Sequence, residues 1–260
     1  MSVPAVLLVI ALAGLAWSTR RSQRQYALFK AYAETRDRQR FYRRWLVGGL
    51  LEFGVGSLIA LWVLGRLEGV RTEPATFLGL TRWLRAAAPA KGLLASGALS
   101  GLAIGIVAGS LVTTVIAARR AAARRTDGAD AGGVMLGDIA PLLPRNARET
   151  LLTGLLSINA GVTEELFFRL LLPLLVTLVT GDARLGFVAA GVIFGLAHIY
   201  QGWVGVVATS VIGGALSAIY LWSGQLWVAM AVHAGFDLIG LVVRPTLARA
   251  LSRRRAARNP

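Results

Sequence analysis

Apolar residues fall in seven long stretches separated by polar intervals. They cover residues 3–17, 45–67, 92–118, 150–180, 185–199, 203–222 and 226–243. Stretches of this kind predict transmembrane helices, which need about 20 apolar residues to cross a bilayer. The first is short enough to pass for a signal peptide, but a signal peptide carries its basic residues ahead of the apolar core. Here Arg20, Arg21 and Arg24 follow it. The third carries Gly97, Gly101, Gly105 and Gly109, a smooth helical face that lets another helix approach closely. The fourth is too long for one straight crossing: its 31 residues reach roughly 46 Å as helix, against a hydrocarbon core of roughly 30 Å. Pro173 marks the expected kink or break. The expected fold is an all-α, polytopic bundle of about seven spans, or eight if the fourth is broken. It forms a single transmembrane domain over 1–260, because no polar interval is long enough for a separate globular unit.

Composition supports this reading. The chain is 55% hydrophobic with a mean hydropathy of +0.62, too apolar for an ordinary soluble domain. It has no cysteine, which excludes a disulfide framework, a thiolate nucleophile and a cysteine-ligated metal. The net charge of +15 does not point to nucleic acid, since the arginines lie between apolar spans without aromatic interleaving or a binding motif. They fit the positive-inside rule and contact with anionic lipid head groups. Residues 18–44, the linker 119–148 and the tail from residue 244 hold most of the arginines. Seven spans put all three on the cytoplasmic side, with the N-terminus outside and the C-terminus in the cytoplasm of a multi-pass cell-membrane protein.

Against this apolar background stand Glu164, Glu165 and Arg169. A charge at mid-bilayer costs at least about 3 kcal/mol, so intramembrane charges point to function. Glu165 and Arg169 are four residues apart, share a helix face and pair. Glu164 points about 100° away, free to face a cavity. A lone Glu–Arg pair would only fix helix contacts, but one arginine cannot compensate two carboxylates. Downstream, Phe194 and His198 share one face, and His233 and Asp237 another. These are the chain's two histidines, and each lies in an apolar stretch. A zinc-binding His-Glu-x-x-His helix, a Gly-x-Ser-Gly nucleophile loop and a Gly-x-Gly-Asp aspartyl motif are all absent. What remains is a carboxylate–histidine site that activates water directly, or through a divalent metal.

Glu-Glu-x-x-x-Arg (Glu164, Glu165, Arg169), Phe-x-x-x-His (Phe194, His198) and His-x-x-x-Asp (His233, Asp237), in this order on successive apolar segments, resemble the CPBP intramembrane proteases. That family comprises the type II CAAX prenyl endopeptidases and the bacteriocin-processing and immunity proteins of the Abi family. The resemblance covers residues 161–241, the CPBP-type catalytic core. It implies an all-helical membrane endopeptidase with a water-filled cavity open to the cytoplasm. Glu164 would be the general base, aided by His198. His233 and Asp237 would bind the oxyanion or a metal, and Glu165, Arg169 and Phe194 would support the site. The implied cofactor is either none or a divalent metal such as zinc, held by Glu164, His198, His233 and Asp237. The implied partner is a peptide or membrane-protein substrate, a prenylated tail among the candidates. Asp237 stands where the family more usually has Asn, which favours a metal-ligand or histidine-orienting role over a pure oxyanion donor.

Two other functions fit parts of the pattern. One is a non-catalytic scaffold or bacteriocin-immunity protein that keeps the polar pocket for binding. The other is a proton-coupled transporter, but transporters show paired repeats, and here no repeat is visible and the polar residues cluster in the C-terminal half. Glu52, beside Gly54 and Gly56, either joins the cavity or, by default, is an interfacial residue or the partner of a loop arginine. Trp203, Trp222 and Trp227 sit at span ends as an aromatic belt. Tyr200 and Gln201, beside His198, read as boundary-loop residues by default, with lining of the cavity mouth as the alternative. The segment 20–44, which mixes Tyr26, Phe29, Tyr32 and Phe41 with basic residues, reads as an amphipathic helix on the cytoplasmic face.

Overall fold

The computed structural model describes residues 1–87 and 138–256. Among these the chain is helical throughout, with turns and no strand. The stretch 92–118 with its glycine face, and residues 119–137 of the linker, lie outside the described residues. The helices are α1 (Val3–Lys30), α2 (Thr35–Gly49), α3 (Gly56–Val63), α4 (Leu78–Ala87), α5 (Ala147–Glu165), α6 (Leu172–Thr180), α7 (Ala183–Ala197), α8 (Gly202–Ser223), α9 (Leu226–Leu238) and α10 (Arg244–Ala256). Three π-helical segments join neighbours without a break: Leu50–Val55 between α2 and α3, Leu166–Leu171 between α5 and α6, and Ile239–Val243 between α9 and α10.

Among the described residues, four helical stretches are long and apolar enough to cross a membrane: Val3–Lys30, Thr35–Val63, Ile199–Ser223 and Leu226–Ala250. Ala183–Ala197 is a shorter apolar helix. The outward faces carry large apolar side chains in the open, such as Trp62, Val188, Val207 and Val211, each more than 60% exposed. Such a surface needs an apolar solvent. The protein is an all-helical membrane protein.

α5 lies at the centre, with α2 on one side and α9 on the other; α6, α7 and α8 follow in turn, and α1 closes on α6. α2 and α5 run parallel, since Arg38 meets Glu149, Gly49 meets Asn159 and Gly54 meets Thr163. Phe168, Leu170, Leu172, Leu174 and Leu175 fill the core with essentially no exposure.

α5 begins where the sequence can satisfy its free N–H groups. Asn146 accepts from the backbone N–H of Glu149 at 2.9 Å and donates to the Glu149 carboxylate at 3.1 Å, a reciprocal cap. The fourth apolar stretch does not break at Pro173. Helix continues from Ala147 to Thr180, because the π segment ends just before the proline. A proline ring in a regular helix meets the carbonyl four residues back. The wider turn makes room for it, and the N–H of Leu172 reaches back to the Phe167 carbonyl.

The segment 20–44 is not a separate surface helix. It is the extended ends of α1 and α2, joined by a turn at 31–34. Its aromatic residues are buried together: Tyr26, Phe29, Phe41 and Tyr42 pack with Leu142 and Leu152 in a second core. The Phe29 and Phe41 rings stack with centroids 4.0 Å apart. The tail is likewise helical, as α10, at least to Ala256.

Candidate active site

Glu164 and Glu165 end α5, and Arg169 lies in the π segment that follows. Glu165 and Arg169 are fully buried and face each other, Nε to Oε2, at 3.0 Å. The pairing expected from their four-residue spacing is therefore present. Arg169 also donates to the Gly213 carbonyl on α8 at 3.3 Å and lies over the Phe194 ring, 4.3 Å from its centroid. Gly213 admits both groups: a Cβ there would lie 2.7 Å from the Phe194 ring.

The second carboxylate oxygen of Glu165 is 2.7 Å from Nδ1 of His233 on α9. Glu165 therefore holds two partners, one on its own helical run and one 68 residues away. What brings α5 and α9 together is Gly161, one turn before Glu165. A Cβ at Gly161 would sit 2.6 Å from the backbone nitrogen of Ala234, so the two helices touch with no side chain between them. The sequence offers a signal for this contact, because Gly161 and Glu165 share a helix face just as Ala234 and His233 share a turn. The long-range link itself has none.

His198 caps the C-terminal end of α7, and its Nδ1 is 2.8 Å from the Phe194 carbonyl. A carbonyl can only accept, so Nδ1 carries the proton and a neutral ring leaves its lone pair on Nε2. That Nε2 faces Glu164 Oε2 at 3.9 Å. On the other side, Nε2 of His233 faces Asp237 Oδ2 at 3.8 Å. Both gaps are too long for a direct hydrogen bond and are suited to a bridging water. Both histidines thus use Nδ1 to hold position and turn Nε2 toward the carboxylates. The group that holds His233 is Glu165; its helix neighbour Asp237 is too far to orient the ring directly.

The structure brings together all the residues singled out from the sequence: Glu164, Glu165, Arg169, Phe194, His198, His233 and Asp237. They form two pairs around a central ion pair. Among the described residues no three carboxylate or imidazole groups converge closely enough to share a metal ion. As arranged, the four expected ligands form two couples, Glu164 with His198 and His233 with Asp237. Glu52 lines the same cleft as Glu164, but its carboxylate is already engaged. It pairs with Arg21 of α1 at 2.9 Å and accepts from Ser18.

Residues 146–239 match the family model described as type II CAAX prenyl endopeptidase Rce1-like. The match agrees with the family resemblance that the three motifs carry. The Rce1-like segment opens on the Asn146 cap of α5 and closes two residues after Asp237, so it contains every candidate residue above. No curated protein and no solved structure matches. The match supports a CAAX-type membrane protease family for this segment.

Proposed function

We propose that the chain is an intramembrane endopeptidase in which Glu164 and His198 activate the water that attacks a peptide carbonyl. The observation that carries this reading is the 3.9 Å gap between Glu164 Oε2 and His198 Nε2, two acceptors facing one water-sized space. A water there donates to both and presents its own lone pair to the substrate. As its oxygen bonds to the carbonyl carbon, its proton passes to Glu164. His233, held through Nδ1 by Glu165, donates from Nε2 to the developing oxyanion when its ring is doubly protonated, with Asp237 beside it as counter-charge. When the C–N bond breaks, Glu164 returns the proton to the leaving amine.

The substrate is a peptide or membrane protein, with a prenylated CaaX tail the candidate that the family match favours. The arginine distribution supports an N-terminus outside, a cytoplasmic C-terminus and contact with anionic lipid. The test is cleavage of CaaX-type peptides by purified protein. Glu164→Gln keeps the shape and removes the base; activity should fall about 10²–10⁴-fold, with thermal unfolding unchanged. Activity of the wild type is expected to survive a chelator. Full activity of Glu164→Gln would sink the mechanism, and a wild type that cleaves nothing would leave the scaffold reading.

A further inference from the structure

The imidazole of His198 packs with two aromatic rings. Phe194, one turn back on α7, has its ring centroid 4.7 Å away. Tyr200, just after α7, has its centroid 5.8 Å away with its plane tilted by 35°. The bond from Nδ1 to the Phe194 carbonyl fixes one atom of the imidazole and leaves the ring free to rock about that bond. Where Nε2 points is then set by the rings beside it. Phe194 is itself held, buried against Phe168 and beneath Arg169. Tyr200 belongs to the short 3-10 turn Ile199–Gln201 that joins α7 to α8, and it is half-buried.

This turn is tied down from outside its own helices. The Tyr200 ring meets Tyr26 of α1 edge-on at 5.1 Å and Trp45 of α2 edge-on at 5.2 Å. The hydroxyl of Tyr26 donates to the Asp138 carbonyl, and the Asp138 backbone N–H donates to the Gln201 carbonyl at 2.9 Å. Lys30 holds the Asp138 carboxylate at 2.8 Å. Gln201 donates its own backbone N–H to the His198 carbonyl at 2.9 Å and its side-chain amide to the Tyr200 hydroxyl at 3.0 Å. The second core, built where the ends of α1 and α2 meet, thus reaches the reacting histidine through one ring. Edge-on and tilted ring pairs of this kind have preferred geometries, so they set orientation as well as burying surface.

We infer that Tyr200 is a positioning residue of the hydrolytic centre: its ring, braced by Tyr26 and Trp45, holds the His198 imidazole so that Nε2 faces Glu164. This rests on the proteolytic reading above and adds to it a residue that acts through His198. The contact works through the ring, since the hydroxyl already accepts from Gln201. The test uses the full chain in nanodiscs and a CaaX-type peptide. Tyr200→Leu keeps an apolar side chain and removes the flat ring. Its kcat should fall about tenfold, the scale of one aromatic contact, with KM unchanged, and Tyr200→Phe should restore the wild-type value. Tyr26→Leu should lower kcat less, and should add nothing on top of Tyr200→Leu, because its effect passes through that ring. A second readout needs no activity. Diethyl pyrocarbonate modifies accessible imidazole nitrogens, and peptide mass spectrometry reads its rate at each histidine. Tyr200→Leu should speed modification of His198 and leave His233 unchanged, while Tyr200→Phe should change neither. If Tyr200→Leu does not fold, Tyr26→Leu carries the same two expectations. A wild-type kcat in Tyr200→Leu overturns the inference, as do additive losses in the double variant. So does a Tyr200→Phe as impaired as Tyr200→Leu, which would move the role to the hydroxyl. Equal acceleration at both histidines marks general loosening and also overturns it. If the wild type cleaves nothing, the proteolytic reading falls, and the modification rates alone decide whether Tyr200 holds His198.

Discussion

Two buried ion pairs anchor α5, one at each end, and they are built differently. At its start Glu149 meets Arg38 of α2 at 3.2 Å, and at its end Glu165 meets Arg169 at 3.0 Å. All four side chains are at most 1% exposed. Around Glu149 the hydrogen bonds are closed. Its carboxylate accepts from Arg38, from the Asn146 amide and from the Arg145 backbone. Arg38 turns its Nη2 to the Tyr42 hydroxyl and the carbonyls of Pro141 and Leu143. Around Glu165 they are open. Arg169 Nη1 and Glu164 Oε2 are buried without a hydrogen-bond partner among the described residues, and the network continues into two imidazoles. The same residue types make a clamp closed by several bonds at one end, and at the other an ion pair beside buried groups left without a partner among the described residues. Unsatisfied buried polar groups are costly enough to call for a reason, and the proposed hydrolysis supplies one.

The comparison can be broken in order of effect. Glu149→Ala leaves Arg38 buried without a counter-charge and should cost about 3–5 kcal/mol of stability, read by thermal unfolding in detergent. The fraction that remains folded should still cleave. A variant that unfolds normally but has lost cleavage would show that the two ends are not separate in role. Gly161→Ala acts in the opposite sense. Its methyl group meets the backbone of Ala234 and pushes α9, with His233, away from Glu165. A displacement of this kind should lower kcat/KM of the folded protein about 100-fold and, because the methyl meets backbone, cost about 1–3 kcal/mol of stability; unchanged kinetics would mean that the helix contact does not set the site. Glu52→Gln is the smallest change. The Arg21–Glu52 pair is about one-third exposed, so its loss should cost under about 1 kcal/mol. A larger shift would mark Glu52 as part of the α1–α2 clamp.

The contrast between the two pairs also explains what the sequence could reveal. Glu165 with Arg169, and Phe194 with His198, were legible because a helix brings residues four apart onto one face. Glu164 was legible as the surplus charge. The link from Glu165 to His233 and that from Arg38 to Glu149 cross 68 and 111 residues, and no local spacing encodes them. Arg38 was further hidden in a basic segment, where its neighbours Arg36 and Arg40 are ordinary surface residues. The all-helical membrane fold followed from the apolar stretches. The continuity through Pro173 did not, because a π segment is invisible to a pattern that assumes 3.6 residues per turn. The aromatic residues of 20–44 read as an interfacial face, since nothing local shows that Leu142 and Leu152 cover them.

Both imidazoles in the site are fixed through Nδ1, and they are the chain's two histidines. A sample labelled with ¹⁵N in histidine alone therefore gives a spectrum of four ring nitrogens, every one of them within the reactive centre. Substrate, inhibitor or metal can be titrated against it and read as a change in Nε2 with Nδ1 as the internal reference. The rest of this large helical protein stays silent in that experiment.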